Sequence, residues 1–199
     1  MYEMQEQSRH ELEDPIKDNL VCHQEISLRW HKVERVLSDS QLMALQNENL
    51  KLMEVLVSGE DAIDIEQQRD REVFKEIRKL DAKLNLMMSW LGQILRHQQD
   101  VPQPQSVYIT TKGLQFFDNE VIAENDELFM ELFLDPRYPQ AFTTLAQVVH
   151  CNPQQQGQEV SVRFIHLDEQ NQQWLDKYIF RLHRRQIAQN RKSHTPARE

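Results

Sequence analysis

The chain has 199 residues, 39% of them hydrophobic and 28% charged, with a formal net charge of -9. That length suits one well-cored domain with an appendage, or two small domains. The acidity disfavours non-specific nucleic-acid binding over most of the surface, and the 4 glycines argue against phosphate loops and for long uninterrupted elements.

Residues 1–20 are polar, broken by Pro15, and read as a flexible N-terminal arm. They are too polar for a signal peptide, and no apolar run approaches the roughly 20 residues of a membrane span. The expected compartment is therefore the cytoplasm, where Cys22 and Cys151 stay reduced. In residues 21–37, Ile26, Leu28 and Trp30 alternate with Ser27, Arg29 and His31. That period of two predicts a half-buried first strand, although Leu28, Val33, Val36 and Leu37 could also share a helical face.

Residues 38–98 read as two helices. Ser38 or Asp39 caps the first, with Gln41 on its first turn, and Ser58 and Gly59 stop it. The second runs from about Asp64 to His97, until Asp100, Pro102 and Pro104 break it. Within it Val73, Ile77, Leu80, Leu84, Met87, Leu91 and Ile94 are spaced 4, 3, 4, 3, 4, 3, a heptad seam. Phe74, Met88 and Leu95 at e positions and Trp90 at a g position widen it. A seam this broad points to three or four strands in a homo-oligomer, or to a helix that also packs on its predecessor. The alternative to self-association is an internal hairpin with residues 40–57.

Beyond the prolines the texture changes to strands, at 106–110, 114–117, 127–134, 143–151 and 159–165, with a polar turn at 152–158. Asp168 and Glu169 open a last helix whose apolar stripe is Trp174, Leu175, Tyr178, Ile179 and Leu182. Residues 190–199 have nothing to bury and read as a disordered basic tail.

Few constellations suggest chemistry. Cys22-His23 and His150-Cys151 would suit zinc only if their strands paired, and their spacing matches no zinc site. Glu124, Asp126 and Glu127 lack a Gly-rich loop or nucleophile elbow and read as a solvated loop, so no enzyme is expected. Arg181, Arg184, Arg185, Arg191 and Lys192 form the best candidate for an acidic partner or a nucleic acid. No base-stacking aromatics are interleaved with them, and a helix-dipole complement with a solubilising tail explains them more simply.

The segment from Val107 onward, about half the chain, resembles a PilZ domain. YITTKGLQF stands at that family's D/N-x-S-x-x-G-L motif: Gly113 and Leu114 match, Thr110 replaces the serine, and Tyr108 replaces the acidic or amide residue. The later strands and FIHLDEQNQQWLDKYI follow the family's order. The resemblance implies an α+β fold: a small antiparallel β-barrel over 105–189 with a closing helix, its first strand in 21–37, and a two-helix oligomerisation insertion at 38–98. Atypical members that form tetramers through a long inserted helix are similar.

Typical members bind cyclic di-GMP, using an R-x-x-x-R segment before the barrel, which neutralises phosphates and stacks on guanine, and the Asp and Ser of the second motif. Here Arg9 stands alone, and the Arg181–Arg185 spacing falls on the last helix. The resemblance therefore implies Tyr108, Thr110 and Gly113 as a degenerate nucleotide motif, no resident cofactor, and cyclic di-GMP binding through the usual site lost. The expected role is a regulatory scaffold in bacterial motility, biofilm or virulence, acting through an unidentified protein partner. A cyclic di-GMP receptor with a different site is the alternative.

Overall fold

The computed structural model describes residues 15–16, 19–58, 71–99 and 101–193. Six strands and three helices follow in chain order: β1 (Cys22–Lys32), α1 (Asp39–Ser58), α2 (Arg71–Gln99), β2 (Gln105–Ile109), β3 (Gly113–Asp118), β4 (Glu127–Phe133), β5 (Phe142–Pro153), β6 (Gln158–Ile165) and α3 (Glu169–Ser193). Residues 64–70 of the expected second helix, most of the expected arm, and 194–199 of the expected tail lie outside the described residues.

The strands close an antiparallel barrel in the order β1-β2-β3-β6-β5-β4. β1 makes closure possible. Its first half pairs with β2, as in His23 with Tyr108, and its second half pairs with β4, as in Trp30 with Met130. One strand thus serves two neighbours, and no edge is left to template another chain. Ile26 and Leu28 point inward with Val107, Ile109, Leu114, Phe116, Leu128, Met130, Leu132, Val160 and Val162. The period-two pattern of β1 is therefore a strand pattern, and the helical alternative for 21–37 is excluded.

Boundaries moved where local hydrogen bonding outweighed pattern. β2 ends at Ile109 because Thr110 turns into the hairpin. β5 runs to Pro153, with a register irregularity between Val148 and His150, which lets a strand follow the barrel's curvature. α3 continues to Ser193, four residues into the segment read as a tail, so residues 190–193 are helical instead.

The helix starts are capped as sequence chemistry dictates. Ser38 Oγ accepts from the Gln41 amide at 3.4 Å while Gln41 Oε1 accepts from the Ser38 amide at 2.9 Å, a capping box. Asp168 Oδ1 accepts from the Asn171 amide at 2.7 Å at the start of α3.

α1 does not fold back along α2. It packs on α3 and against β5, burying Asn49, Leu52, Met53 and Val57. α3 buries Leu175, Tyr178, Ile179 and Leu182, and the Tyr178 hydroxyl donates to the Leu134 carbonyl at 3.1 Å. The apolar residues among these, with Tyr178, join the barrel core in one cluster. The hairpin alternative fails because the one apolar stripe on α1 is already occupied.

Candidate functional site

Two regions carry the sequence expectations: the β2–β3 turn and the seam of α2. In the turn, Thr110 leaves β2 with its side chain completely buried. Its hydroxyl accepts from the amides of Lys112 at 3.2 Å and Gly113 at 3.1 Å, the self-bonded turn that short hydroxyl side chains favour. The hydroxyl proton lies between two acceptors, the Gly113 carbonyl at 3.0 Å and the Pro15 carbonyl at 3.1 Å. Gly113 is required by close approach. A Cβ there would lie 2.0 Å from the Val162 carbonyl oxygen and 2.8 Å from Pro15 Cβ.

Tyr108 sits apart from this buried pair. It is exposed on the outer face of the barrel, its ring tilted against His23 with centroids 5.2 Å apart. His23 Nε2 is 2.6 Å from Ser106 Oγ. The register carries this face onward from Tyr108 to Gln115, then to Ser161 and His150. Arg163 stands opposite Gly113. The barrel thus brings Thr110 and Gly113 together and turns Tyr108 toward a different, solvent-facing surface.

The seam of α2 lies open. Ile77, Leu80, Leu84, Met87, Leu91 and Ile94 are each 47–62% exposed; the side chain of Val73 lies outside the described ones. Trp90, at a flanking g position, adds to this apolar surface, whereas the exposed Leu86 lies on the opposite side of the helix. Among the described side chains of α2, Gly92 is the buried position. Its α-carbon rests on the 135–138 loop, where a Cβ would come within 2.8 Å of the Arg137 carbonyl oxygen.

That loop is braced. Asp135 accepts from the Arg137 amide at 2.8 Å and from its guanidinium at 2.6–3.1 Å, and the Arg137 guanidinium also lies over the Tyr138 ring. Burial pushes the Asp135 carboxyl up, but the bonds from Arg137, with Arg185 of α3 nearby, outweigh burial and hold it below the ordinary carboxylate range.

Other candidate groups are placed individually. Cys22 and Cys151 are on β1 and β5, which are not neighbours in the barrel. Cys22 Sγ donates to the Ile179 carbonyl and Cys151 Sγ to that of Ile122, and burial raises both thiols. Among the described residues, no three His, Cys, Asp or Glu gather where a metal could sit. Asp126 is tied to Lys32 at 2.8 Å, which, with the Ala123 amide, lowers its carboxyl. Arg181 donates to the Val57 carbonyl at the end of α1, so part of the basic stretch knits α3 to α1.

The family description "Atypical PilZ domain, cyclic di-GMP receptor" matches residues 52–192. The chain belongs to the atypical PilZ domain family. A search of the curated proteins gave no match. Among solved structures, a pathogenic protein from Xanthomonas campestris, described as a tetrameric PilZ domain self-assembled via a helical bundle, is similar at a TM-score of 0.65 and 21% identity. The match covers 86% of this chain and 92% of that one. The likeness establishes the PilZ fold.

Within that fold, two features escape a reading of the motif alone. Pro15 lies on the Thr110–Gly113 turn from 95 residues away in sequence, a contact no local pattern announces. Gly92 did leave a signal, as the one glycine in a long helix, but its role depends on the loop it meets. Among the described residues no helix is long and apolar enough to cross a membrane.

Proposed function

We propose that this atypical PilZ protein is a non-enzymatic regulatory scaffold, cytoplasmic and tetrameric, whose copies associate through α2. It acts by protein contacts in bacterial motility, biofilm or virulence control, and has lost cyclic di-GMP binding through the usual motif. The observation that carries this reading is the open seam. Each large apolar side chain is worth roughly 1.5–3 kcal/mol when fully buried. Six of them half in water forgo roughly 5–9 kcal/mol per chain. Two seams covering one another recover more than the lower part of the association cost, about 4–15 kcal/mol. Trp90, Met88 and Leu95 flank the seam and widen it beyond what one partner helix covers, which favours the tetramer.

The loss of nucleotide binding is supported by the turn. The one hydroxyl that the motif retains, on Thr110, is buried and engaged by Pro15 and Gly113. Arg181, half of the only R-x-x-x-R spacing near the barrel, is engaged with α1.

Light scattering tests the reading. Wild type is expected at a tetramer's mass with or without cyclic di-GMP, and Leu84→Asp at that of a monomer, since a carboxylate inside the bundle is costly. A monomeric wild type would sink it. A second reading, a cyclic di-GMP receptor with an unusual site, is favoured by the family's description as a receptor. A rise in melting temperature with saturating cyclic di-GMP would establish that reading instead.

A further inference from the structure

We propose that the outward face of α3 is a docking surface for an acidic amphipathic helix of a partner protein. The inference deepens the reading above that the chain acts through protein contacts, and rests on it for the kind of partner.

α3 turns Leu175, Tyr178, Ile179 and Leu182 inward. On its outer side Lys177, Phe180, Arg184 and Ile187 are spaced 3, 4, 3, and the spacing continues to Arg191. That is the repeat of a helix-pairing seam. Phe180 is 56% exposed and Ile187 39%, and Lys177 and Arg184 are exposed beside them. Apolar and cationic side chains thus alternate along about 15 Å of helix.

The cations of α3 divide by task. Arg181 donates to the Val57 carbonyl and Arg185 lies near Asp135, so both serve the fold. Lys177 and Arg184 pair with no carboxylate among the described residues, and Lys177 is held over the Trp174 ring at 4.4 Å. The helix beneath them is fixed. Cys22 Sγ donates to the Ile179 carbonyl, and Gln186 Nε2 donates to that of His23. A surface tied to β1 on both sides of Arg184 gives up little freedom when a partner docks.

Charge chooses the occupant. The seam of α2 is apolar throughout and suits a second copy. Two α3 faces laid together would instead bury Arg184 without an anion, against its own copy in parallel pairing or an apolar residue in antiparallel pairing. A helix with carboxylates opposite Arg184 and apolar residues opposite Phe180 and Ile187 avoids that cost. A bilayer or a nucleic acid is an extended anionic surface and would also meet the rest of the chain, with its net charge of -9. A single helix meets only the charges within roughly 8 Å that salt leaves effective.

Fluorescence anisotropy on the full chain tests this with two labelled synthetic peptides of three heptads. One carries glutamate at a and leucine at d, for parallel pairing, and the other exchanges these positions, for antiparallel pairing. Versions with lysine in place of glutamate are the controls. One acidic peptide is expected to bind, more weakly as salt rises, and its lysine version to bind at least about ten-fold more weakly. Arg184→Glu is expected to weaken the acidic peptide about ten-fold and to tighten the lysine version. Phe180→Ala is expected to weaken the acidic peptide by a similar factor. Light scattering on both variants is expected at the wild-type mass, since neither residue lies on α2.

Silence from both acidic peptides, with wild type at a tetramer's mass, would overturn the docking surface alone. Equal binding of acidic and lysine peptides would reduce it to apolar adhesion and overturn the charge assignment. Binding of phosphatidylserine vesicles or single-stranded RNA in place of the peptides, lost in Arg184→Glu, would overturn the helical partner. Peptide binding by a chain that light scattering finds monomeric would uphold the surface and overturn the tetramer.

Discussion

Asn49 of α1 and Thr143 of β5 exchange two hydrogen bonds, as two residues of neighbouring strands would. The Asn49 amide donates to the Thr143 carbonyl at 2.6 Å, and its Oδ1 accepts from the Thr143 amide at 2.9 Å. A side chain on a helix thereby supplies the missing partner for backbone groups at the start of a strand. Asn49→Ala leaves both groups of Thr143 without that partner. The expected loss is about 2–3 kcal/mol by urea unfolding, with the secondary structure unchanged by circular dichroism. A loss below half of that would mean that water replaces the amide.

Thr110 is the second such point. Thr110→Val keeps the shape and removes the hydroxyl that serves Lys112, Gly113 and Pro15. A stability loss of about 1–3 kcal/mol is expected, and Thr110→Ser should recover most of it. A loss in Thr110→Ser with none in Thr110→Val would assign the effect to packing of the methyl group.

Asp135 gives a pH dependence. Its carboxyl is held below its ordinary value in the folded chain, so its contribution is present above the unfolded pKa, about 3.9. That contribution fades as pH falls through the lower folded value. Asp135→Asn is expected to cost about 1 kcal/mol at pH 7, discounted for the exposed Arg137 guanidinium. The gap to wild type should narrow in thermal melts as pH falls below the unfolded carboxylate value. A gap constant from pH 7 to pH 2 would remove the charge from the explanation.

Gly92 makes a geometric prediction. A methyl group there would meet the Arg137 carbonyl oxygen at 2.8 Å, against a loop braced by Asp135. Gly92→Ala raises helix propensity by about 1 kcal/mol, so the seam itself should hold. Light scattering is expected to give the wild-type mass, and small-angle scattering a changed maximum dimension. Identical scattering curves would show that the loop yields.

Much of this architecture was legible because its signals are local. The 4-3 spacing of Ile77 through Ile94 and the alternation of Leu128, Met130 and Leu132 each report a neighbour a few residues away. The destination of α1 was not. Leu52, Met53 and Val57 form an apolar stripe that fits α2 or α3 equally well as a pattern, and tertiary packing decided between them. The motif showed the same limit: Tyr108, Thr110 and Gly113 share a short stretch, yet one faces solvent while two lie beneath Pro15. That contact joins residues 95 apart, and polar composition around Pro15 gave no hint of it.

α2 has a mechanical consequence. A helix of 29 residues is about 43 Å long, and Gly92, its buried point against the barrel, lies near one end. Arg71 stands about 32 Å from that fulcrum. A tilt of about 10° at Gly92 sweeps the far end through about 5 Å, roughly one helical turn. An ångström-scale rearrangement of the Asp135–Tyr138 loop is thus geared up along the rod, and the barrel and the far end of α2 work as the short and long arms of a lever.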